Sequence, residues 1–188
     1  RIFVERPIYK KFRDAFVAQT KKMVVGHPMD EKAKLGAVVS KEHMEKVLSY
    51  VKLAQEEGGT VLAGGKRILL EGEHAEGYYL EPTIIEGLSY KCRTNQEEIF
   101  GPVVTIMTFD KEEEVLMYAN STKYGLSSTV WTSDLKRAHR MASQLEFGIV
   151  WIYTWLLRDL RSPFGGVKES GIGREGGFDH FHIFPHLT

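Results

Sequence analysis

The sequence predicts an α/β fold, and three observations predict it. Short apolar runs bounded by Gly, Pro and polar residues alternate with longer segments whose apolar residues recur at helical spacing. Val103 to Phe109 is an apolar-rich run of the kind that forms a buried strand. Met44, Val47, Leu48, Val51 and Ala54 fall on one stripe of a helix.

In chain order, Ile2-Phe3-Val4 is the first expected strand. Pro7 suits the first turn of a helix, where its missing N–H costs nothing, and Ile8, Phe12, Ala15 and Phe16 make that helix's apolar stripe. Residues 25 to 39 read as an irregular connection. Ser40 caps the second helix, and Gly58-Gly59 ends it, because glycine takes the left-handed C-terminal conformation without a Cβ clash. Thr60 to Ala63 is a strand, Gly64-Gly65 a turn, and residues 66 to 77 a polar loop. Tyr78 to Ile85, interrupted at Pro82, reads as an edge strand. After Val103 to Phe109, Asp110 caps a helix to about Tyr118, with Glu112, Glu113 and Glu114 at its positive end. Ser127 to Trp131 is a strand, Ser133 or Asp134 caps a helix to about Leu145, and Gly148 to Ile152 is a strand. The remainder is loop-like.

The 188 residues suffice for one domain with a real core and not for two large ones. Lys plus Arg and Asp plus Glu both total 25, so no global field points to nucleic acid or anionic lipid. No apolar run approaches the roughly 20 residues of a membrane helix. The single cysteine, Cys92, rules out an intrachain disulfide framework and a cysteine-based zinc cluster, and it fits a reducing, cytoplasmic setting. The opening RIFVERP runs straight into strand-like sequence without a methionine, so the chain is expected to be a piece of a longer protein.

Each chemical motif has a plain alternative. Gly171-x-Gly173-x-x-Gly176 matches the dinucleotide fingerprint as a string, but that mechanism needs a strand before it and a helix N-terminus after it; a tight structural turn is the default. His180, His182 and His186 have chelating spacing, against three surface histidines. Asn120-Ser121-Thr122 is a glycosylation string at an expected helix end, read as chance. Cys92 sits between Lys91 and Arg93 in what looks like an exposed connection, an unpromising setting for a nucleophile. Arg158 and Arg161 flank Asp159 beside Trp155 and Phe164. Either they clamp a carboxylate through the planar guanidinium fork, or one of them simply pairs with Asp159.

Three segments then converge. Glu97-Glu98-Ile99-Phe100-Gly101-Pro102, Tyr124-Gly125-Leu126-Ser127-Ser128, and Pro163-Phe164-Gly165-Gly166-Val167-Lys168-Glu169-Ser170-Gly171-Ile172-Gly173-Arg174-Glu175 resemble the NAD-dependent aldehyde dehydrogenase superfamily, in the same order. Trp151 to Arg161 with the adjoining PFGG looks most like the aminomuconic and hydroxymuconic semialdehyde dehydrogenases. The resemblance implies part of that family's catalytic domain over residues 1 to 177, a mostly parallel sheet flanked by helices, and a divergent tail over 178 to 188. It implies that Glu98 accepts the nicotinamide ribose hydroxyls and that Phe100 packs near the nicotinamide end. It also implies that Phe164 walls the aldehyde pocket, that Arg158 anchors the substrate carboxylate, and that Gly165, Gly166, Gly171 and Gly173 serve close backbone packing. Glu97 acquires no role.

The family's nucleophilic cysteine precedes the strand matching Ile2-Phe3-Val4. The nucleophile, the general base, the oxyanion Asn and nearly all of the nucleotide domain are therefore expected upstream of Arg1. The chain alone is expected to be inactive, with weak or no NAD binding, and its parent to be a homo-oligomer acting on a small aldehyde. Two departures stand out: Tyr153 where the family usually has Asn, and the ending DHFHIFPHLT in place of the family's strand-forming tail. A non-catalytic remnant that only packs against partners, and a free-standing NAD-binding module built on Gly171 to Gly176, remain as alternatives.

Overall fold

The computed structural model describes residues 1–177, so His180, His182 and His186, read either as surface histidines or as chelators, lie outside the described residues. The chain divides into two compact units, Arg1–Lys111 and Glu112–Thr188.

The first unit is built on a four-stranded sheet. β1 (Ile2–Glu5), β2 (Thr60–Ala63), β5 (Thr83–Glu86) and β6 (Val103–Phe109) lie in the order β1-β6-β5-β2. β1 and β5 both run parallel to β6, and β2 runs antiparallel to β5. Between β2 and β5, β3 (Arg67–Ile68), in the segment expected to be a polar loop, pairs antiparallel with β4 (Tyr79–Leu80) in a small ribbon. The expected edge strand across Pro82 is thus two strands, and its second half is central. β5 is central in the sheet, and Ile84 and Ile85 are fully buried because both its faces are covered, Ile84 by Phe16 and Val17 of the helix over residues 6–20 and Ile85 by Ala54 of the helix over residues 41–56. Pro82 precedes the ladder, so its missing N–H breaks no pairing.

α1 (Arg6–Thr20) comes directly after β1, with Pro7 in its first turn. Its buried face differs from the expected stripe. Ile8 and Ala15 are exposed, while Tyr9, Phe16 and Val17 pack on Ala63, Ile84 and Ile106. Tyr9 sets this rotation, donating its hydroxyl to Glu86 Oε2 at 2.6 Å at the end of β5. α2 (Lys41–Glu56) starts where expected: Ser40 Oγ accepts the His43 N–H at 3.2 Å. Met44 and Val47 pack with Leu80 and Ile99, and Ala54 packs with Ile85 and Leu88. Burying a residue such as Val47 is worth about 1.5–3 kcal/mol.

In the second unit, β8 (Ser127–Val130) and β9 (Ile149–Ile152) are parallel, joined through α5 (Leu135–Gln144). This is a strand–helix–strand crossover. Asp134 caps α5 by accepting the Arg137 N–H at 3.0 Å. α4 (Glu112–Asn120) packs against α5, and Glu112 accepts from Arg137 and Arg140, each at 2.7 Å. β7 (Tyr124–Gly125) pairs antiparallel with β10 (Val167–Lys168). Asn120 of the glycosylation string is structural: its side chain donates to Gln144 O at 2.9 Å and accepts the Glu146 N–H at 3.0 Å.

Candidate functional site

In the first unit, the chain reaches residues 97–102 through α3 (Arg93–Gln96), a single turn. Glu57 holds its start, accepting the backbone N–H groups of Arg93 at 2.8 Å and Thr94 at 3.2 Å. Buried Asn95 ties it to the sheet, accepting from Thr105 Oγ1 at 2.6 Å and donating to Ser89 O at 2.8 Å. Beyond α3 the two adjacent carboxylates part. Glu97 turns inward, accepting the Tyr50 hydroxyl at 2.6 Å and an Arg93 fork at 2.7 and 3.0 Å. Its backbone is extended, so the next side chain points the other way. Glu98 is exposed, and among the described residues its carboxylate has no hydrogen-bond or ion-pair partner.

One face of α2 carries this loop. His43 Nε2 donates to the Phe100 carbonyl at 2.6 Å, Lys46 Nζ to the Glu98 carbonyl at 3.2 Å, and Tyr50 to Glu97. Val47 fills the space under Gly101, where a Cβ would lie 2.5 Å from its Cγ2. Phe100 has φ +57, a left-handed value uncommon outside glycine, and its ring is 70% exposed while stacking on His43 at 5.8 Å. This loop therefore presents an acceptor-only carboxylate and an aromatic face, both held by a helix. An acceptor beside an aromatic face fits a ribose diol, whose hydroxyls donate, next to a planar ring.

The surroundings of Cys92 do not favour a nucleophile. Its side chain packs on Ala54, Ile85 and Leu88, and burial pushes its thiol up from the ordinary range. Expected to be exposed, it is half-buried because the turn before α3 folds onto the sheet.

In the second unit, Asp159 pairs with Arg161, accepting from Nη2 at 2.6 Å and from Nε at 3.0 Å. Arg158 is left to two other groups. Its guanidinium carbon lies 4.1 Å from the centroid of the Phe164 ring, and its Nη2 donates to Glu175 Oε2 at 3.2 Å. Phe164 and Glu175 are themselves joined by reciprocal backbone bonds of 2.8 and 2.7 Å. Trp151 Nε1 donates to Leu157 O at 2.9 Å, fixing the residue before Arg158. Sequence reading misses Glu175 in this group; its place in the GREGG string gives no sign of a partner seventeen positions away.

The glycines divide by role. At Gly165 a Cβ would meet Gly173 O at 2.2 Å, and at Gly166 it would meet Ser170 Cβ at 2.5 Å, as the packing expectation requires. Gly171 and Gly173 have open space at the Cβ position, so they do not pack closely; Gly171 is needed for its φ of +144. Ile172 between them is 98% exposed. The preceding strand β10 has two residues, and no helix comes after it within the described residues, so the dinucleotide-fingerprint reading has no supporting geometry. Tyr153 holds φ +55, a region Asn adopts more readily, and its ring packs on Trp131 at 5.3 Å. Among the described residues no group of His, Cys, Asp or Glu is arranged to hold a metal ion, and no helix is long and apolar enough to cross a membrane.

A sequence profile of the aldehyde dehydrogenase family matches residues 1–187. The chain belongs to the aldehyde dehydrogenase family. It is 46% identical over its whole length to the 2-aminomuconic 6-semialdehyde dehydrogenase of a Pseudomonas species and 48% identical to the 2-aminomuconic semialdehyde dehydrogenase of Danio rerio. It spans 38% and 39% of those relatives' lengths. Among solved structures, betaine aldehyde dehydrogenase from Staphylococcus aureus in complex with NAD+ superposes with a TM-score of 0.92 at 38% identity, covering 98% of this chain and 36% of that one. An NAD+ complex of aldehyde dehydrogenase from Bacillus cereus superposes with a TM-score of 0.90 at 41% identity, covering 96% of this chain and 36% of that one. The α/β architecture expected from the sequence is the architecture of these aldehyde dehydrogenases.

Proposed function

We propose that this chain is part of the catalytic domain of a dehydrogenase that oxidises a carboxylated semialdehyde to the acid with NAD. Bound NAD would supply the hydride acceptor. Glu98 accepts hydrogen bonds from the nicotinamide ribose, and Phe100 packs near the nicotinamide end. Phe164 walls the aldehyde pocket, and Arg158 anchors the carboxylate. The nucleophilic cysteine, the general base and most of the cofactor domain are assigned to the part of the relatives' length that this chain does not cover. The chain by itself would then be inactive, and the full-length protein a cytoplasmic homo-oligomer.

The observation that carries the reading is Arg158 stacked 4.1 Å over Phe164. A position over the ring supports the guanidinium, whose fork of N–H groups suits a carboxylate. Relatives that share this chain's sequence at 46–48% act on muconic semialdehydes by name.

The test uses two four-carbon aldehydes, succinic semialdehyde and butanal, which differ in a terminal carboxylate. In the full-length protein carrying this chain, Arg158→Met is expected to lower the kcat/KM ratio of the first over the second by about 10–100-fold, the loss of a hydrogen bond to a charged group. An unchanged ratio refutes the clamp.

A further inference from the structure

We infer that Glu97 is a positioning residue for Glu98: anchored by Tyr50 and Arg93, it turns the loop so that the second carboxylate, and not the first, is offered to the cofactor ribose. This inference rests on the reading of Glu98 above and gives a task to the neighbour that the sequence leaves without one.

Adjacent side chains on extended backbone face opposite ways. Glu97 has φ −103 and ψ 151, so whatever fixes its side chain also fixes the direction of the next one. Both of its oxygens are engaged. Arg93 Nε donates to Oε1 at 2.7 Å, while Arg93 Nη2 and the Tyr50 hydroxyl donate to Oε2 at 3.0 and 2.6 Å. Bonds to an ionised acceptor are the strong kind, and those from Arg93 have fork geometry. The two anchors come from different elements. Tyr50 is carried by α2, and Arg93 opens α3, where Glu57 accepts its backbone N–H at 2.8 Å. A side chain tied to two separate supports is locked in one orientation.

The other ties of the loop act on its main chain. Lys46 and His43 hold the carbonyls of Glu98 and Phe100, at 3.2 and 2.6 Å, and so set where the backbone runs. Neither holds the Glu98 carboxylate, which has no partner among the described residues. Its direction is therefore inherited from Glu97. The same grip separates the roles of the two carboxylates. Glu97 uses its acceptor capacity on the protein, and Arg93 offsets its charge, so the pair presents one available anion rather than two.

The test uses the full-length protein, with kcat/KM for NAD read at saturating succinic semialdehyde. Tyr50→Phe removes one hydroxyl and keeps the ring; it is expected to lower this value about three- to tenfold. Glu97→Ala releases both anchors and is expected to lower it about 10–100-fold. In the Glu98→Ala background both further losses are expected to shrink to within about twofold, because no carboxylate is left to misdirect. A general loosening of the loop would go on lowering activity there. If Glu97→Ala does not fold, Tyr50→Phe carries the comparison alone. An unchanged value in either folded variant, or equal losses with and without Glu98, overturns the inference. If Glu98→Ala itself leaves kcat/KM for NAD unchanged, the ribose reading fails and the inference with it; if it lowers the value while Glu97→Ala does not, only the positioning role fails.

Discussion

Replacing Gly101 by Ala puts a methyl group 2.5 Å from Val47 Cγ2 and 2.9 Å from Cγ1. Carbon–carbon contacts relax near 3.5 Å, so one side has to retreat by about 1 Å. Val47 cannot: it is 1% exposed and packed among Met44, Leu80 and Ile99. The loop must move instead, against the His43 bond to Phe100 and the Tyr50 bond to Glu97, both 2.6 Å. Overpacking of this kind costs about 1–3 kcal/mol. At a urea m-value of about 2 kcal/mol/M the unfolding midpoint falls by roughly 0.5–1.5 M. Far-UV circular dichroism is the right probe, because α1 and α2 are in the first unit while Trp131, Trp151 and Trp155 are all in the second. Val47→Ala removes both clashing carbons, so the double variant is expected to lose at least about 1 kcal/mol less than the sum of the singles. If Glu98 holds the nicotinamide ribose as proposed, the same retreat in the full-length protein is expected to lower kcat/KM for NAD by up to about 100-fold. An unchanged midpoint in Gly101→Ala, or additive effects in the pair, refutes the claim that Val47 sets the position of this loop.

Glu112 gives a pH prediction. The hydrogen bond from Arg140, then that from Arg137, holds its carboxyl down at about 2, below the ordinary 4.5. A folded value below the unfolded one stabilises the chain above about pH 4.5, and that contribution is lost as pH falls toward 2. Because both arginines are partly solvated, the expected size is about 1 kcal/mol, and Glu112→Gln is expected to flatten the stability slope between pH 5 and 2; an identical slope refutes the pairing. Cys92→Ala is expected to keep the full-length enzyme's kcat within about twofold, and alkylation of Cys92 in the wild type to accelerate only above the ordinary thiol range. Loss of turnover on that substitution would restore the thiol as a nucleophile.

The helix α2 is legible in the sequence because its apolar stripe and its Ser40 cap are local, and propensity, pattern and capping agree there. β5 is harder to read, because Pro82 looks like a break within one strand when it only precedes another; the unbroken Thr83-Ile84-Ile85 run is the sign of a strand covered on both sides. The stripe of α1 sits one residue off its expected place because a tyrosine with a distant carboxylate partner, Glu86, chooses the face. The role of Glu97 is half visible. Arg93 stands four positions before it, the spacing of a helical ion pair, but Tyr50 is distant in sequence. Arg158 and Phe164 emerge through the resemblance, whereas Glu175 needs coordinates, since nothing local links a loop arginine to a carboxylate across a glycine-rich excursion.

The contacts that α2 makes with the loop fall at His43, Lys46, Val47 and Tyr50, a recurrence of three, one and three positions. An inserted or deleted residue within this helix would turn the residues on one side of it by about 100° relative to those on the other, separating the anchors from one another in a single event. The stretch from Leu69 to Gly77 is held elsewhere, with His74 stacked on His27 at 4.4 Å and Gly77 O accepting from Arg67 Nη2 at 3.2 Å. The helix thus behaves as a fixed ruler for the loop it carries.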